Sequence, residues 1–182
     1  FFLVLQIDGD DASCLNLNQV NQPGLSGINT AFLDSVNAFR FAALDPVADP
    51  NHPWRILDTA PAPGVIFAFA DQTVITWGLG KQMGDTLIYP DEQGKPLSVV
   101  LAGALDHSIF QGNLILSARA LKNHYPSSAV PRLFLFRDTT ATAAEAARRL
   151  EYLLADKGIM ITTTSDRLNS FNTVENTYLS VF

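Results

Sequence analysis

The chain has one cysteine, little basic charge and no long apolar run. The single cysteine, Cys14, excludes an internal disulfide framework and a cysteine-rich zinc cluster. Twelve Lys and Arg stand against eighteen Asp and Glu, for a formal charge of −6 and a pI near 4.8. A nucleic-acid binder needs a basic face to displace counterions, so that class is excluded. A polybasic membrane-surface patch is missing too. The only adjacent basic pair, Arg148-Arg149, reads as the solvated face of a helix. No apolar stretch approaches the roughly 18 residues that span a bilayer. There is no repeat of fixed period and no low-complexity tract.

What is present is enough for a sizeable core. Of 182 residues 47% are hydrophobic, only 16% are charged, and the mean hydropathy is +0.13, which excludes disorder. Phe1–Ile7 reads as a strand and Asp8–Asp11 as an acidic turn. Gln19–Gly27 reads as loop. Asn29–Leu44 places Ala31, Phe32, Val36, Phe39 and Ala43 near helical spacing, with Asn29 or Thr30 as cap. Asp45–Gly64 holds five prolines and reads as an ordered loop or crossover. Val65–Ala70 is a short buried strand. Asp71 caps one or two helical turns through Trp77, which Gly78 and Gly80 end. Thr86–Tyr89 and Leu97–Leu105 form a hairpin. Leu114–Leu116 is a strand, and Ser117 caps a helix that stops before Pro126. Arg132–Phe136 is a strand. Thr139 or Thr140 caps a helix over Ala141–Lys157, closed by Gly158 and followed by a strand over Ile159–Thr163. This order predicts an α+β fold, a mixed β-sheet with helices packed on one face. The expected organisation is 1–64 as strand, helix and Pro-rich crossover, 65–164 as the α+β core, and 165–182 as a terminal helix. The helix Ala141–Lys157 is expected to pack on the sheet through Ala144, Ala147, Leu150 and Leu154, leaving Glu145, Arg148 and Arg149 in water.

Each chemical template fails on spacing. Gly78-Leu79-Gly80-Lys81-Gln82-Met83-Gly84 matches neither G-x-G-x-x-G nor the Walker pattern, and a helix precedes it where a strand is required. Asp106-His107-Ser108 sets three triad residue types side by side, yet adjacent side chains diverge on an extended chain. Gly24-Leu25-Ser26-Gly27 is not a nucleophile elbow. His52, His107 and His124 show no zincin spacing. The acidic turn lacks the alternating ligands of a calcium loop. Asp11-Ala12-Ser13-Cys14 approaches a lipoprotein cleavage site, but Asp11 stands where an apolar residue belongs and no leader precedes it. No catalytic, cofactor-binding or metal residue is assigned, and the expectation is a domain that is not an enzyme.

Ser165–Phe182 reads as an amphipathic helix. Ser165 is its expected cap, and Leu168, Phe171, Val174, Tyr178 and Phe182 lie along one face. It carries no stop signal, and Phe1–Leu5 opens in mid-strand without an initiator Met. Both ends predict a segment of a longer protein with membrane flanks.

Four blocks carry a family resemblance: 9–18 (GDDASCLNLN), Trp77–Lys81 with Gly84–Leu87, Ser108–Gly112, and Val174–Ser180. Together they resemble the extracytoplasmic domain of FtsX-like, MacB-like ABC transporter permeases, over most of the chain. The resemblance implies a porter-like α+β domain between two membrane helices, with the Asn176-Thr177-Tyr178-Leu179-Ser180 segment running into a span. It implies an inner-membrane protein with this domain in the periplasm, a permease dimer, a partner ATPase in the cytoplasm that binds the ATP, and an adaptor or lipoprotein outside. It implies no cofactor and no catalytic residue in this domain. The expected role is to relay ATP-driven motion outward. The Pro-rich segment is shorter than the inserted subdomain of the drug-exporting members. A free-standing periplasmic ligand-binding module, its twelve Phe lining a pocket, is the alternative. A hydrolase using Ser108 or Ser26 is the third reading.

Overall fold

The computed structural model describes residues 2–9, 22–37, 39–136 and 142–179, with 2 and 172–179 as backbone only. The chain divides into two compact units, Phe1–Leu135 and Phe136–Phe182. The first holds one mixed sheet and the second holds two helices, so the fold is α+β as expected.

The strands are β1 (Phe2–Ile7), β2 (Gly24–Ile28), β3 (Arg40–Leu44), β4 (Val65–Asp71), β5 (Thr86–Pro90), β6 (Pro96–Asp106), β7 (Asn113–Ser117) and β8 (Val130–Leu135). Their order is β3-β6-β4-β7-β2-β1-β8, with β5 also on β6. The pairs β4/β6 and β2/β7 are parallel, and the others are antiparallel. The long β6 takes β5 against its first half and β3 against its second, along one edge. The sheet thus begins in the N-terminal segment and ends at Leu135, so its limits differ from the expected 65–164 core.

Helices cover both faces, not one. Phe69, Ile115 and Ser26 are register partners across β4, β7 and β2, so they share a face, and Gly27 lies on the other. On the Gly27 face sits α2 (Ala118–His124), so near that a Cβ on Gly27 would lie 2.8 Å from Leu121 Cδ2. On the Phe69 face sits the 3-10 turn Pro53–Asp58, whose Trp54 ring is 5.3 Å from that of Phe69. α1 (Thr30–Val36) packs beside this turn through a Thr30 hydroxyl donating to Asp58. The one-face expectation fails because β4 and β6 are apolar on both sides: Ala68, Phe69 and Ala70, and Leu101 to Leu105, are all buried.

Other expectations need correction. Gly24–Gly27, the end of the Gln19–Gly27 stretch read as loop, belongs to the inner strand β2, because its glycines serve close packing instead of a turn. The Asn29–Leu44 helix stops after two turns. Asn29 caps it as expected, accepting from Phe32 N–H at 3.0 Å, but Asn37 takes a left-handed conformation (φ 45°) and ends it. Arg40–Leu44 then forms edge strand β3. The Pro-rich segment contains one regular element, the 3-10 turn, which starts on Pro53 and buries Trp54, Ile56 and Leu57.

In the second unit, α3 (Ala143–Leu154) is capped by Thr142, whose hydroxyl and Glu145 form a reciprocal capping box. The expected caps Thr139 and Thr140 lie outside the described residues. Ala147, Leu150 and Leu154 are half-buried and Glu145, Arg148 and Arg149 are exposed, as expected. Ala146, not Ala144, completes the buried stripe. At 3.6 residues per turn Ala144 lies about 120° from Leu150, and Ala146 only about 40°. Gly158 closes the following 3-10 turn in a left-handed conformation (φ 64°). Ile159–Thr163 is not a strand. Ile159 and Met160 are exposed, and Thr163 is already the cap of the next helix, accepting from Asp166 N–H at 3.1 Å.

Two contacts fix the first unit. At β6 a bulge separates Leu101 from Gly103, and a Cβ on Gly103 would lie 2.5 Å from Phe69 Cδ1. Phe69 is itself wedged between Phe41 and Trp54, with ring centroids at 5.2 and 5.3 Å. Elsewhere, Glu92 in the β5–β6 turn accepts from Ser127 N–H, Ser128 N–H and the Ser128 hydroxyl, while its own N–H donates to His124 O. Tyr125 OH reaches Pro90 O at 2.6 Å beside it. Burial, and then the Asp91 carboxylate, push that phenol above the ordinary 10.

Gly103→Ala should lower stability by about 1–3 kcal/mol by overpacking, seen as a lower denaturant midpoint at unchanged slope. Gly78→Ala, whose methyl would meet only Val74 Cγ1 at 4.0 Å, is the comparison and should be near neutral. Equal midpoints would mean that the Phe69 ring yields. The Ser128 hydroxyl, and then the Ser127 N–H, hold the Glu92 carboxyl below the ordinary 4.5. A lowered folded value stabilises above the ordinary value and is lost as pH falls through the folded one. The stability difference between the parent and Glu92→Gln should therefore shrink as pH drops below about 4.5. A difference unchanged at pH 3 would remove Glu92 from the clamp.

Candidate functional site

Four of the five residues expected to carry the membrane-proximal role, Leu168, Phe171, Val174 and Tyr178, lie in α4 (Thr164–Leu179). It begins one residue before Ser165, because the Thr163 hydroxyl caps it. Leu168 and Phe171 are half-buried, and the Arg167 guanidinium lies 5.3 Å from the Phe171 ring centroid. Val174 and Tyr178 fall on the backbone-only part of the same helix, and Phe182 lies outside the described residues. Among the described residues no helix is long and apolar enough to cross a membrane.

The triad candidates are not brought together as a triad. Ser108 is buried at 2% exposure; its N–H donates to Asp71 Oδ2 at 2.6 Å and its Oγ accepts from Phe110 N–H. His107, in a left-handed conformation (φ 48°), turns its ring to Asp106 at 2.5 Å. Ser26 is fully buried and accepts from Gln6 Nε2 at 3.2 Å. Among the described residues no group of three His, Cys, Asp or Glu is placed to hold a metal.

Sequence reasoning missed two polar clusters. The first centres on Asp71, 1% exposed at the end of β4. Its Oδ1 accepts from Thr73 N–H and the Thr73 hydroxyl, and its Oδ2 from Ser108 N–H. It caps the turn after β4, as expected, and also ties down the loop after β6, across 37 residues of sequence. The second joins α1 to the Pro-rich segment. His52 Nδ1 is 2.7 Å and Arg55 Nε 3.6 Å from Asp34 Oδ2, while Asp34 Oδ1 is buried with no protein partner among the described residues. Nothing in spacing links 34 to 52; only the fold does.

Phe39, Phe41, Phe69 and Phe110 pack with Trp54 as a continuous aromatic core. The open cleft of note lies elsewhere, holds about 330 Å³, and is formed by the residues after β4, the Gly80–Met83 segment, Ala43 and Ala104. Its floor is a π-helical turn, Val74–Gly78, closed by Leu79 N–H donating to Val74 O at 2.9 Å. Trp77 stands on that turn 81% exposed.

No known protein family, characterised protein or solved structure matches the chain.

Asp71→Ala would strand the buried Ser108 N–H and remove the partner of the half-buried Thr73 N–H. It should cost about 2–4 kcal/mol in chemical denaturation, whereas Ser108→Ala, which removes one long hydrogen bond, should cost about 1 kcal/mol. Equal costs would mean that the loop after β6 is held by its hydroxyl and not by Asp71.

Proposed function

We propose that the chain is the extracytoplasmic domain of an FtsX-like, MacB-like ABC transporter permease, relaying ATP-driven motion to a substrate or partner outside the membrane. What carries this reading is the resemblance of the four sequence blocks, in their order and spacing, to that family. The α+β fold is compatible with a porter-like domain. The uninterrupted course of α4 from Thr164 to Leu179 supports the relay. A helix that continues into a membrane span passes on a tilt of that span, whereas a flexible linker absorbs it. The domain's part is mechanical, so its chemistry is that of packing, and the ATP belongs to a cytoplasmic ATPase.

In this reading the domain has no catalytic residue, lies in the periplasm, and works as part of a permease dimer with a periplasmic adaptor or lipoprotein. The parent reading frame should then hold apolar segments of about 20 residues on both sides.

A flexible Gly-Ser insertion after Thr164 in the full-length permease tests the relay. ATP hydrolysis should survive while transport-linked function is lost. Unchanged function would show that α4 is not the transmitting element.

A further inference from the structure

The Gly78–Gly84 segment fails as a phosphate loop, yet its Gly80–Met83 part forms one wall of the cleft described above. We propose that this cleft binds a small amphiphile with one carboxylate, the anion held by Lys81 and the apolar body lying on Ile75, Met83 and Ala104. The site stands independently of the permease reading.

Its place in the sheet is the first support. The cleft lies toward edge strand β3: β6 pairs with β4 on one side and with β3 on the other, and Ala43 and Ala104 are register partners across β3 and β6. Gln72, Ile75 and Thr76, which follow β4, and the Gly80–Met83 segment supply the rest of its lining. Part of its lining thus comes from paired strands and not from loop, which suits a fixed site.

The lining supplies the chemistry. Ile75 and Ala104 are each 3% exposed and Met83 is half-buried, giving an apolar floor. Gln72, Thr76, Lys81 and Gln82 are exposed at the rim. Lys81 is the one cation among the lining residues, and it has no ion-pair partner among the described residues. The neighbouring Asp85 carboxylate accepts from Gln82 N–H at 2.9 Å. A chain of charge −6 does not draw anions by its net field, so recognition rests on this local charge. A single ammonium beside neutral amides suits a monoanion. A phosphate would call for an Arg fork or several convergent N–H donors.

The wall is held in shape before any ligand arrives. Lys81 N–H donates to Ile75 O at 2.9 Å, and Gly84 N–H donates to Leu101 O at 2.8 Å. The segment is pinned to the π turn at one end and to β6 at the other, which lowers the ordering cost of binding. The volume, about 330 Å³, lies at the small end of ligand pockets, which run from about 300 to 1,000 Å³.

The test is an amide-resolved NMR titration of the 182-residue chain with octanoate, octan-1-ol and octylammonium. Octanoate should give saturable shifts centred on Gln72–Thr76, Gly80–Met83, Ala43 and Ala104. Octanol should bind at least about tenfold more weakly, and octylammonium should not bind. Lys81→Gln, an exposed change, should bring octanoate down to the octanol level and leave octanol unchanged. Ala43→Phe, also at an exposed position, should fill the cleft and abolish both. Equal binding of the three probes, shifts centred elsewhere, no saturable octanoate shift, or an octanoate affinity indifferent to Lys81→Gln would each overturn the proposal.

Discussion

The first unit depends on one close approach, the Phe69 ring lying on the bare Cα of Gly103. Any side chain at Gly103 would push the ring away, and with it Phe41, which meets it edge-on, and Trp54, which packs against it at a tilt. Through Trp54 the contact anchors the 3-10 turn of the Pro-rich segment, and through Phe41 it anchors edge strand β3. The bulge beside Gly103 also resets the pleat of β6. Leu97, Val99 and Leu101 face the α2 side, and beyond the bulge Ala104 continues on that side while Gly103 takes the aromatic one. One missing side chain thus lets a single strand serve two cores.

The ends of the central strands are fixed by polar groups where apolar packing runs out. Asp71 is a buried carboxylate that accepts from three donors, which offsets the desolvation that such a group otherwise suffers. It joins the turn after β4 to the loop after β6, the two segments that any ligand or partner at the carboxyl ends would meet. Glu92 does comparable work at the opposite ends of β5 and β6, but in water. Its contribution therefore follows pH, and its role is to hold two turns in register.

Much of this architecture was legible in the chain. β1, β4, the β5–β6 hairpin, β7, the Ser117 cap and the bulk of α3 and α4 follow from period, turn residues and caps. β2 was not legible, because Gly24 and Gly27 carry a loop signature unless Leu121 of α2 is known to press on them. β3 failed for the reason that Phe39, Val36 and Phe32 fit a helical stripe. What ends the helix is the left-handed Asn37, a conformation that asparagine tolerates but does not announce. Thr142 was legible and was missed: Thr142-Ala143-Ala144-Glu145 is a capping-box pattern, and its glutamate identifies the cap. Of the candidate site, the glycine segment stood out while its purpose did not. Templates ask what a loop does to a phosphate, and here the loop is shaped by hydrogen bonds to Ile75 and Leu101, far apart in sequence.

The Pro-rich segment shows how composition misleads about stiffness. Five prolines between Asp45 and Gly64 exclude long helices and strands, and that reading held. They do not make the segment loose. Proline narrows the unfolded ensemble, so ordering such a stretch costs less entropy than ordering a glycine-rich one. The remaining cost is met by a few anchors: Trp54 in the aromatic core, His52 and Arg55 on Asp34, and Asp58 between Thr30 and Arg119. Those anchors reach α1, α2 and the sheet from one short turn. A displacement imposed on any of these elements is therefore shared by all of them, because the joining segment has neither the length nor the freedom to absorb it. The relay proposed above would need this property. In this chain it comes from a crossover that, by composition alone, looks like the least structured part.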